Sequence, residues 1–452
     1  MLTIIAFLVV LGVLIFIHEL GHFLVAKWSG VGVEAFSLGF GPRVFGIKRG
    51  ETDYKISLIP FGGYVKMTGE AIDSEETYED LKHLTEYERL RRDEDFIEKS
   101  FQRKPLFKRV AIVAAGPAMN LVLAAILFPV IYMIGVSVPA FLYETPKVGY
   151  VPSAGPAYEA GVMQGDIIDS IDGVGVSTWE GAIELIALNP GREVELKVKR
   201  GEVLLTKKIV PVAVENKSFG VDVGVSGFYP PMPAVVGAIK EGYPAEKAGL
   251  EAGDLIKSIG GKAITHWSEL NDELSSLGAR QVVFERAGVL NEVTITPVYD
   301  EESDRYFIGV IKQDDMTVKS YGPVEAVKRG YNRAVELTTL LFTVLKGLVF
   351  GDYSMDSLGG PIMIAKVAGQ AASSGLVPIL FLVAFLSLQL GIINLFPIPV
   401  LDGGHLFFFG FEWIIGKPLN EEIMIIAQNI GMVLLLGLMI FVTWNDIARM
   451  FL

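Results

Sequence analysis

The sequence predicts a polytopic α-helical membrane protein with four transmembrane helices, a membrane-associated β-hairpin and two external α+β domains. Three observations predict this class. Long stretches carry no charge, and 51% of the 452 residues are hydrophobic. The mean hydropathy of +0.44 is too high for a typical soluble chain. The middle of the chain contains an internal repeat, which indicates duplicated domains between the apolar stretches.

Four apolar segments are long enough to cross a hydrocarbon layer of about 30 Å. We expect the transmembrane helices within residues 1–30, 109–140, 375–405 and 420–446. A cleaved signal peptide is the alternative for the first segment. It is disfavoured because the first basic residue is Lys27 and no small-residue cleavage site follows.

Two segments follow the first span on the same side of the membrane. Residues 31–70 alternate apolar and polar side chains and contain turn glycines, which is typical of a β-hairpin. We expect this hairpin to associate with the membrane, with a simple cytoplasmic hairpin as the alternative. Residues 71–108 are charged and poor in aromatic side chains. They predict a cytoplasmic insertion that carries no visible chemistry.

A fifth apolar stretch lies within residues 320–372, from Ala334 to Phe350. It carries Glu336 and Lys346. These charges favour an amphipathic helix lying at the membrane interface, followed by a gating segment, over a further span.

Basic residues set the expected orientation. They flank the facing ends of the first two spans at Lys27, Arg103, Lys104, Lys108 and Arg109. Because such residues favour the cytoplasmic side, both termini and the long middle stretch are expected to lie on the opposite, outer side of the membrane. The formal net charge of −13, with no basic patch, argues against a nucleic-acid partner.

The middle stretch contains a repeat with a period of 88 residues. Between Pro156 and Trp179, 11 of 24 positions are identical to those in the second copy. We expect domains at 145–225 and 226–315. The segments PAYEAGVMQGDIIDSIDG and PAEKAGLEAGDLIKSIGG resemble PDZ domains of bacterial proteases, which bind extended peptides or chain termini. A pair of inert spacers is the alternative, since a fold alone does not establish ligand binding.

Residues 18–22 form a His-Glu-Leu-Gly-His motif inside the first apolar segment. Two histidines four residues apart on a helix point the same way and can share a metal ion. The intervening Glu19 is placed to act as a general base on a water molecule at the metal. A buried histidine pair satisfied by neighbouring helices is the alternative, but ionisable residues within a membrane are costly and mark functional sites.

The end of the third span supplies a candidate third ligand. Residues 394–405 are Asn-Leu-Phe-Pro-Ile-Pro-Val-Leu-Asp-Gly-Gly-His. The prolines end the helix, and Asp402 follows in a glycine-rich turn. With no cysteine in the chain, Asp402 completes a His₂-carboxylate set with His18 and His22. A turn residue is the alternative. A fifth span would place Asp402 on the opposite membrane face, so the metal site requires four.

These motifs together resemble the site-2 protease family. The resemblance rests on HExxH, NxxPxPxLDG, GFGP at 39–42 and IPFGGYV at 59–65. The tandem PDZ-like repeat is similar to the bacterial branch of this family. The resemblance implies that His18, His22 and Asp402 bind zinc (Zn2+) and that Glu19 activates water and protonates the leaving amine. It also implies that Asn394 hydrogen-bonds the substrate. The strand residues implied to pair with an unwound substrate are Gly62, Gly63, Tyr64, Val65 and Lys66.

The resemblance further implies a zinc metalloendopeptidase of the bacterial inner membrane, with its active site near the cytoplasmic side. Its substrates would be trimmed single-span (type II) membrane proteins, such as an anti-sigma factor of an envelope stress response, and remnant signal peptides. The PDZ-like domains would exclude untrimmed proteins. The alternative is a PDZ-bearing membrane receptor or scaffold for damaged envelope proteins with a structural metal site.

Overall fold

The computed structural model describes residues 2–69, 96–216, 221–274, 277–300, 305–350, 359–417 and 420–451. The chain forms two compact units. The first comprises Met1–Val136 and Ser320–Leu452, and the second comprises Ser137–Lys319. Most of the expected charged insertion at 71–108 lies outside the described residues.

The first unit contains the long, membrane-type helices, and the inserted unit contains short helices. In chain order they are α1 (Leu2–Trp28), α2 (Leu106–Ile134), α3 (Pro156–Glu159), α4 (Trp179–Ala187), α5 (Pro244–Lys247), α6 (Ser268–Glu273), α7 (Pro323–Phe350), α8 (Pro361–Ser374), α9 (Leu376–Asn394), α10 (Asp402–Ile415) and α11 (Glu421–Phe451).

The strands fall into one long hairpin and many short strands of the inserted unit. They are β1 (Val33–Arg49), β2 (Thr52–Met67), β3 (Val136–Pro139), β4 (Ile167–Ile171), β5 (Val174–Gly175), β6 (Val194–Arg200), β7 (Val203–Ile209), β8 (Val212–Asn216), β9 (Val221–Val225), β10 (Val236–Ile239), β11 (Leu255–Ile259), β12 (Lys262–Ala263), β13 (Arg280–Arg286), β14 (Val289–Ile295), β15 (Val298–Asp300), β16 (Arg305–Phe307), β17 (Val310–Lys312) and β18 (Met316–Lys319).

The four expected spans are confirmed. Within the described residues, α1, α2, α9 and the Glu422–Ala448 part of α11 are long and apolar enough to cross a membrane. Two boundaries differ from the expectation. Helix α2 ends at Ile134, because the β-branched residues of β3 begin a strand that pairs with β18. The third span ends at Asn394, and Asp402 begins a separate helix, α10, that the sequence did not predict.

Helix α1 buries one face against the other helices. Its buried residues recur every three or four positions, as expected for a single helix face: Ala6, Val10, Leu14, Ile15, His18, Gly21, His22 and Ala26. The outer part of this face packs against Ala368 of α8 and Leu382 and Val383 of α9. The inner part packs against Ile112 and Val113 of α2. Helix α1 is thereby held on both sides of the histidine pair.

Helix α7 packs along two of the spans, which differs from the interfacial position expected within residues 320–372, and the expected gating segment remains a prediction. It packs along α2 and α9: Leu337 joins a buried cluster with Phe128, and the Phe342 ring lies 6.1 Å from the Phe396 ring. Two of its charges form a pair, since Arg333 binds Glu336 at 2.6 Å, and the Arg333 guanidinium lies over the Phe381 ring.

Helices α7 and α9 run in the same direction. Arg333 lies over Phe381 near the beginning of α9, and Phe342 further along α7 contacts Phe396 just beyond its end. Two parallel neighbours require the chain between them to return. Helix α8 lies at the end of this returning segment. Its Gly369 packs against Thr3, which places α8 near the membrane side where α1 begins. A helix inside the bundle is therefore compatible with four spans.

Helix α11 is attached to the other helices at few points. Most of its apolar side chains are exposed. Near its C-terminal end, the buried Asp446 carboxylate accepts hydrogen bonds of 2.9 Å from the backbone N–H groups of Gly360 and Met363. These contacts cap the beginning of α8, which explains an ionisable residue in a span.

The β-hairpin is confirmed. Strand β1 bends so that Phe36 lies opposite both Val65 and Tyr54, placing the first half of β1 between the two halves of β2. Away from this layer the hairpin exposes a set of large apolar side chains: Phe40, Val44, Phe45, Ile47, Ile56, Leu58 and Ile59. An apolar surface of this kind is typical of a membrane-contacting segment.

The inserted unit contains two α+β domains with the same topology, which confirms the predicted duplication. Their four-stranded sheets have the orders β5-β4-β6-β7 and β12-β11-β13-β14. Each domain has its own apolar core, and the first core extends to Phe228, slightly beyond the expected boundary at 225.

Each domain buries one aspartate against one arginine at equivalent positions. Arg200 binds Asp166 at 2.7 Å, and Arg286 binds Asp254 at 2.7 Å. Burial alone would raise the pKa of Asp254. Hydrogen bonds from Arg286 and from the Glu251 N–H outweigh burial, so the pKa lies below its ordinary value.

We expect Asp254→Asn to lower the stability of the second domain at neutral pH and to weaken its acid sensitivity. A carboxylate with a lowered folded-state pKa contributes stability above its unfolded pKa of about 3.9. This contribution is lost as the pH falls through the folded-state value. Thermal unfolding of the purified protein at about pH 6 and about pH 3 measures the difference. The exposed Asp222→Asn variant is the control, and an acid response equal to that of wild type in Asp254→Asn contradicts the prediction.

Candidate metal centre

The two histidines of α1 converge at their Nε2 atoms. These atoms lie 3.3 Å apart, and the rings meet edge to face with centroids 4.9 Å apart. Both side chains are almost fully buried. The four-residue spacing on the helix is the reason that they face the same point.

Asp402 reaches the same point from the first turn of α10. Its Oδ2 lies 3.1 Å from His18 Nε2, and its Oδ1 lies 3.5 Å from His22 Nε2. A turn from Leu395 to Leu401 separates α9 from α10 and packs against Gly403, where a Cβ atom would lie 2.4 Å from the Leu395 carbonyl oxygen. The glycines after Asp402 therefore allow the close backbone approach expected from the sequence.

The three ligand atoms fit a tetrahedral metal ion. A metal with bonds of about 2.0–2.1 Å separates tetrahedral ligands by about 3.3 Å. The three ligand atoms of His18, His22 and Asp402 all lie within 4.8 Å of one another. His22 Nδ1 donates a hydrogen bond to the Ile112 carbonyl at 2.9 Å. In the neutral imidazole, Nε2 of His22 then carries an unshared electron pair. Lone pairs that converge with a carboxylate in a buried space need a metal cation or a proton between them.

Helix α2 supports both histidines. Besides the Ile112 carbonyl on His22, the Asn120 side chain lies 3.2 Å from His18 Nδ1. Gly116 lies between these two residues, where a Cβ atom would come within 2.2 Å of His22 Nε2. A side chain at position 116 would therefore collide with the His22 ring.

Helix α2 also holds the far end of α10. Arg109 forms a two-pronged ion pair with Glu412, in which Nη1 lies 3.0 Å from Oε2. Its guanidinium lies 5.1 Å from the Phe409 ring centroid. Because α10 carries Asp402 at its beginning, one helix fixes both histidines and the helix that presents the carboxylate.

The hairpin passes beside helix α1. At Gly63 of β2, a Cβ atom would lie 2.8 Å from Ile15 and 3.0 Å from Glu19. Glu19 interacts electrostatically with His18, His22 and Asp402. Residues 63–67 of β2 pair with β1 and with no other strand among the described residues. This free strand edge therefore lies next to Glu19.

The other predicted strand residues alternate in direction. Val65 is buried, while Tyr64 stacks on Phe40 with ring centroids 6.1 Å apart. Lys66 forms an exposed ion pair of 2.8 Å with Glu34. Gly62 lies at the bend of the strand, with a φ of 105°.

Asn394 is the last residue of α9 and is half-buried. It directly precedes Leu395, whose carbonyl packs against Gly403 next to Asp402. Asn394 therefore lies at the end of α9 that is nearer to Asp402. Its contact with a substrate remains a prediction.

Sequence reasoning missed the supporting residues Arg109, Gly116, Asn120 and Glu412. One signal was present, because Asn120 is a polar residue within an apolar span and such residues have interhelical partners. The partner of Arg109 is 303 residues away, and no local pattern identifies it.

The fold and the site define a metalloprotease whose candidate metal centre lies between the membrane-spanning helix α1 and the short helix α10. The model of peptidase family M50 matches residues 6–438. The chain therefore belongs to this family, the site-2 protease family that its motifs resemble.

Curated relatives cover nearly the whole chain. A putative zinc metalloprotease of Neisseria meningitidis is 34% identical over 99% of both chains. Protease RseP of Yersinia pestis and the regulator of sigma-E protease RseP of Escherichia coli are each 32% identical over 98% of both chains. Among solved structures, the PDZ domain of an SdrC-like protein from Listeria monocytogenes matches 19% of this chain and 90% of its own. Its identity is 22% and its TM-score is 0.17.

We expect Arg109→Met to destabilise the protein by about 2–3 kcal/mol and to weaken metal binding, because it leaves Glu412 as an unpaired, partly buried charge. The double variant Arg109→Met/Glu412→Leu should recover stability, since no buried charge is then left unpaired. Thermal unfolding and metal titration of the detergent-solubilised protein measure both effects. Glu325→Gln removes a more exposed ion pair on α7, between Glu325 and Arg329, and is the control. Equal stability of the Arg109→Met variant and wild type would contradict this role.

Proposed function

We propose that the chain is a zinc-dependent intramembrane endopeptidase that makes the second cut in membrane proteins already trimmed outside the membrane. The observation that carries this proposal is the position of Glu19. It lies between two candidate metal ligands and beside an unpaired strand edge. A structural metal site needs neither a general base nor a place for an extended peptide.

The donor set supports zinc as the metal. Two histidine nitrogens and one carboxylate, with no cysteine in the chain, form the ligand class of catalytic zinc sites. His18, His22 and Asp402 would hold the ion. When bound, zinc supplies a Lewis acid that polarises the scissile carbonyl and makes water more acidic.

Glu19 would move the protons of the reaction. Its carboxylate accepts a proton from the attacking water and returns it to the amide nitrogen of the leaving peptide. Asn394, at the end of α9, would donate a hydrogen bond to the substrate backbone or to the developing oxyanion.

The free edge of β2 would present the substrate. A transmembrane helix uses its peptide groups in internal hydrogen bonds, so a protease must first unwind it. Residues 62–66 provide backbone donors and acceptors for an extended chain, and the Gly63 contact brings that chain beside Glu19.

The name of the Escherichia coli relative refers to sigma-E, and this supports an anti-sigma factor as a substrate. We place the protein in the bacterial inner membrane, with the metal centre near the cytoplasmic side and both termini periplasmic. The two α+β domains would be periplasmic and would exclude untrimmed substrates by size. Remnant signal peptides, which are also short membrane-spanning segments, form the second proposed substrate class.

We expect Glu19→Gln to keep zinc at the wild-type stoichiometry and to lose cleavage by at least about 100-fold, because the amide cannot accept the proton. The measurement uses purified protein, a single-span substrate lacking its external domain, and zinc analysis of the same samples.

Two controls separate this proposal from its rivals. The same substrate with its external domain intact should be cut much more slowly. Cleavage by Glu19→Gln at the wild-type rate would exclude the mechanism. Wild-type protein that binds zinc but cuts no single-span substrate would favour a receptor or scaffold with a structural metal.

We expect Gly63→Val to reduce cleavage by about 100-fold with unchanged zinc content, because its side chain would displace Glu19 and the strand edge by about 1 Å. Gly12→Ala is the matched control, since no atom lies within 4 Å of the position of its Cβ. Initial cleavage rates and zinc content are measured for both variants. Wild-type cleavage by Gly63→Val would show that the strand does not position the reaction.

A further inference from the structure

Asn120 is a fully buried polar residue in the membrane-spanning helix α2. Its Nδ2 lies 3.2 Å from His18 Nδ1, whereas its Oδ1 has no hydrogen-bond partner. Its backbone carbonyl accepts a 2.8 Å hydrogen bond from Ser387 Oγ on α9. A buried amide oxygen without a partner is costly. The side chain of Asn120 therefore needs an explanation beyond packing.

The histidine that Asn120 contacts has two possible tautomers. In one, His18 carries hydrogen on Nε2 and donates it to Asp402 Oδ2, 3.1 Å away. Its Nδ1 is then a lone pair that accepts from the Asn120 Nδ2. In the other, Nε2 is a lone pair available to a metal, and Nδ1 carries the hydrogen. Only the second tautomer binds the cation that the converging ligands require.

The metal-binding tautomer does not fit an Asn120 amide that presents its nitrogen, because two donors would face each other across 3.2 Å. A half-turn about the Cβ–Cγ bond exchanges Oδ1 and Nδ2. The amide oxygen then accepts from His18 Nδ1–H, and the amide nitrogen takes the position that the oxygen held. The contact becomes a hydrogen bond of the kind that orients metal-ligating histidines.

We propose that Asn120 is a positioning residue that selects the metal-binding tautomer of His18 by accepting its Nδ1–H. The two histidines thus differ in how they are held. His22 donates to the Ile112 backbone carbonyl, which can only accept, so its tautomer is fixed. His18 faces an amide that can serve either tautomer. Helix α2 supplies both partners, eight residues apart on its buried face.

This inference rests on the metal centre of the proposed function, but its test does not depend on proteolysis. The full-length protein in detergent is titrated with Zn2+ against a competing chelator. Co2+ serves as a spectroscopic probe of ligand geometry. Two variants differ in what they offer His18: Asn120→Asp keeps an acceptor but cannot donate, and Asn120→Leu offers neither.

We expect Asn120→Leu to lower Zn2+ affinity by about 10–100-fold and to alter the Co2+ spectrum. Asn120→Asp should bind Zn2+ at least as tightly as wild type, with an unaltered Co2+ spectrum, because its carboxylate enforces the hydrogen on Nδ1. The opposite role, in which the Asn120 amide nitrogen donates to His18, predicts that Asn120→Asp is as weak as Asn120→Leu. That result would overturn the proposal, as would wild-type affinity in Asn120→Leu.

Ser387→Ala is the packing control, because it removes the contact with the Asn120 backbone and leaves the amide in place. It should retain Zn2+ affinity. A loss as large as that of Asn120→Leu would assign the effect to packing and overturn the proposal. If Asn120→Leu fails to fold, the comparison of Asn120→Asp with wild type still decides. Failure of the proposed function would give a different result. Cleavage would be absent, while the Zn2+ affinities of wild type and of the Asn120 variants would still follow the pattern expected here.

Discussion

The structure depends on the convergence of two imidazole nitrogens and one carboxylate in a largely buried space. Without a cation, acceptor atoms 3.1–3.5 Å apart repel one another unless protons intervene. Their approach therefore has to be enforced by the surrounding helices. Helix α2 enforces it from both directions, through Ile112 and Asn120 on the histidines and through Arg109 on α10. Helix α2 carries no candidate metal ligand itself, but it holds the residues that do.

The sequence predicted the three candidate ligands that the structure brings together, because their chemistry is rare in an apolar segment. A His-Glu-x-x-His motif within a span and an aspartate after a proline-broken span leave few structural alternatives. The supporting contacts were not predictable in the same way. Ile112 contributes a backbone carbonyl, which any residue type provides. Glu412 lies in the last turn of the short helix α10, and no local pattern marks it as the partner of Arg109. Such contacts depend on tertiary packing, which periodicity does not encode.

The position of α7 shows where reasoning from hydropathy reaches its limit. The sequence argument compared an interfacial helix with a fifth span, because only these two options follow from counting crossings. A helix that packs along α9 in the same direction, followed by a return of the chain through α8, keeps the number of crossings even. Its charges do not forbid this position, since Arg333 pairs with Glu336 and contacts an aromatic ring. The metal site constrained the number of spans but not the path between them.

An active site within a membrane must supply hydrogen-bond partners for the backbone of an unwound substrate, and the hairpin can provide them. Substrates that cross a membrane are helical because the bilayer offers no partners for free peptide groups. A protease in the same environment has to offer those partners itself before it can reach a scissile bond. The edge of β2 is suited to this task because strand pairing satisfies backbone groups regardless of sequence. The absence of a side chain at Gly63 lets that edge approach Glu19 closely. In the proposed function, the unwinding of the substrate and the attack on its backbone would therefore take place at one position.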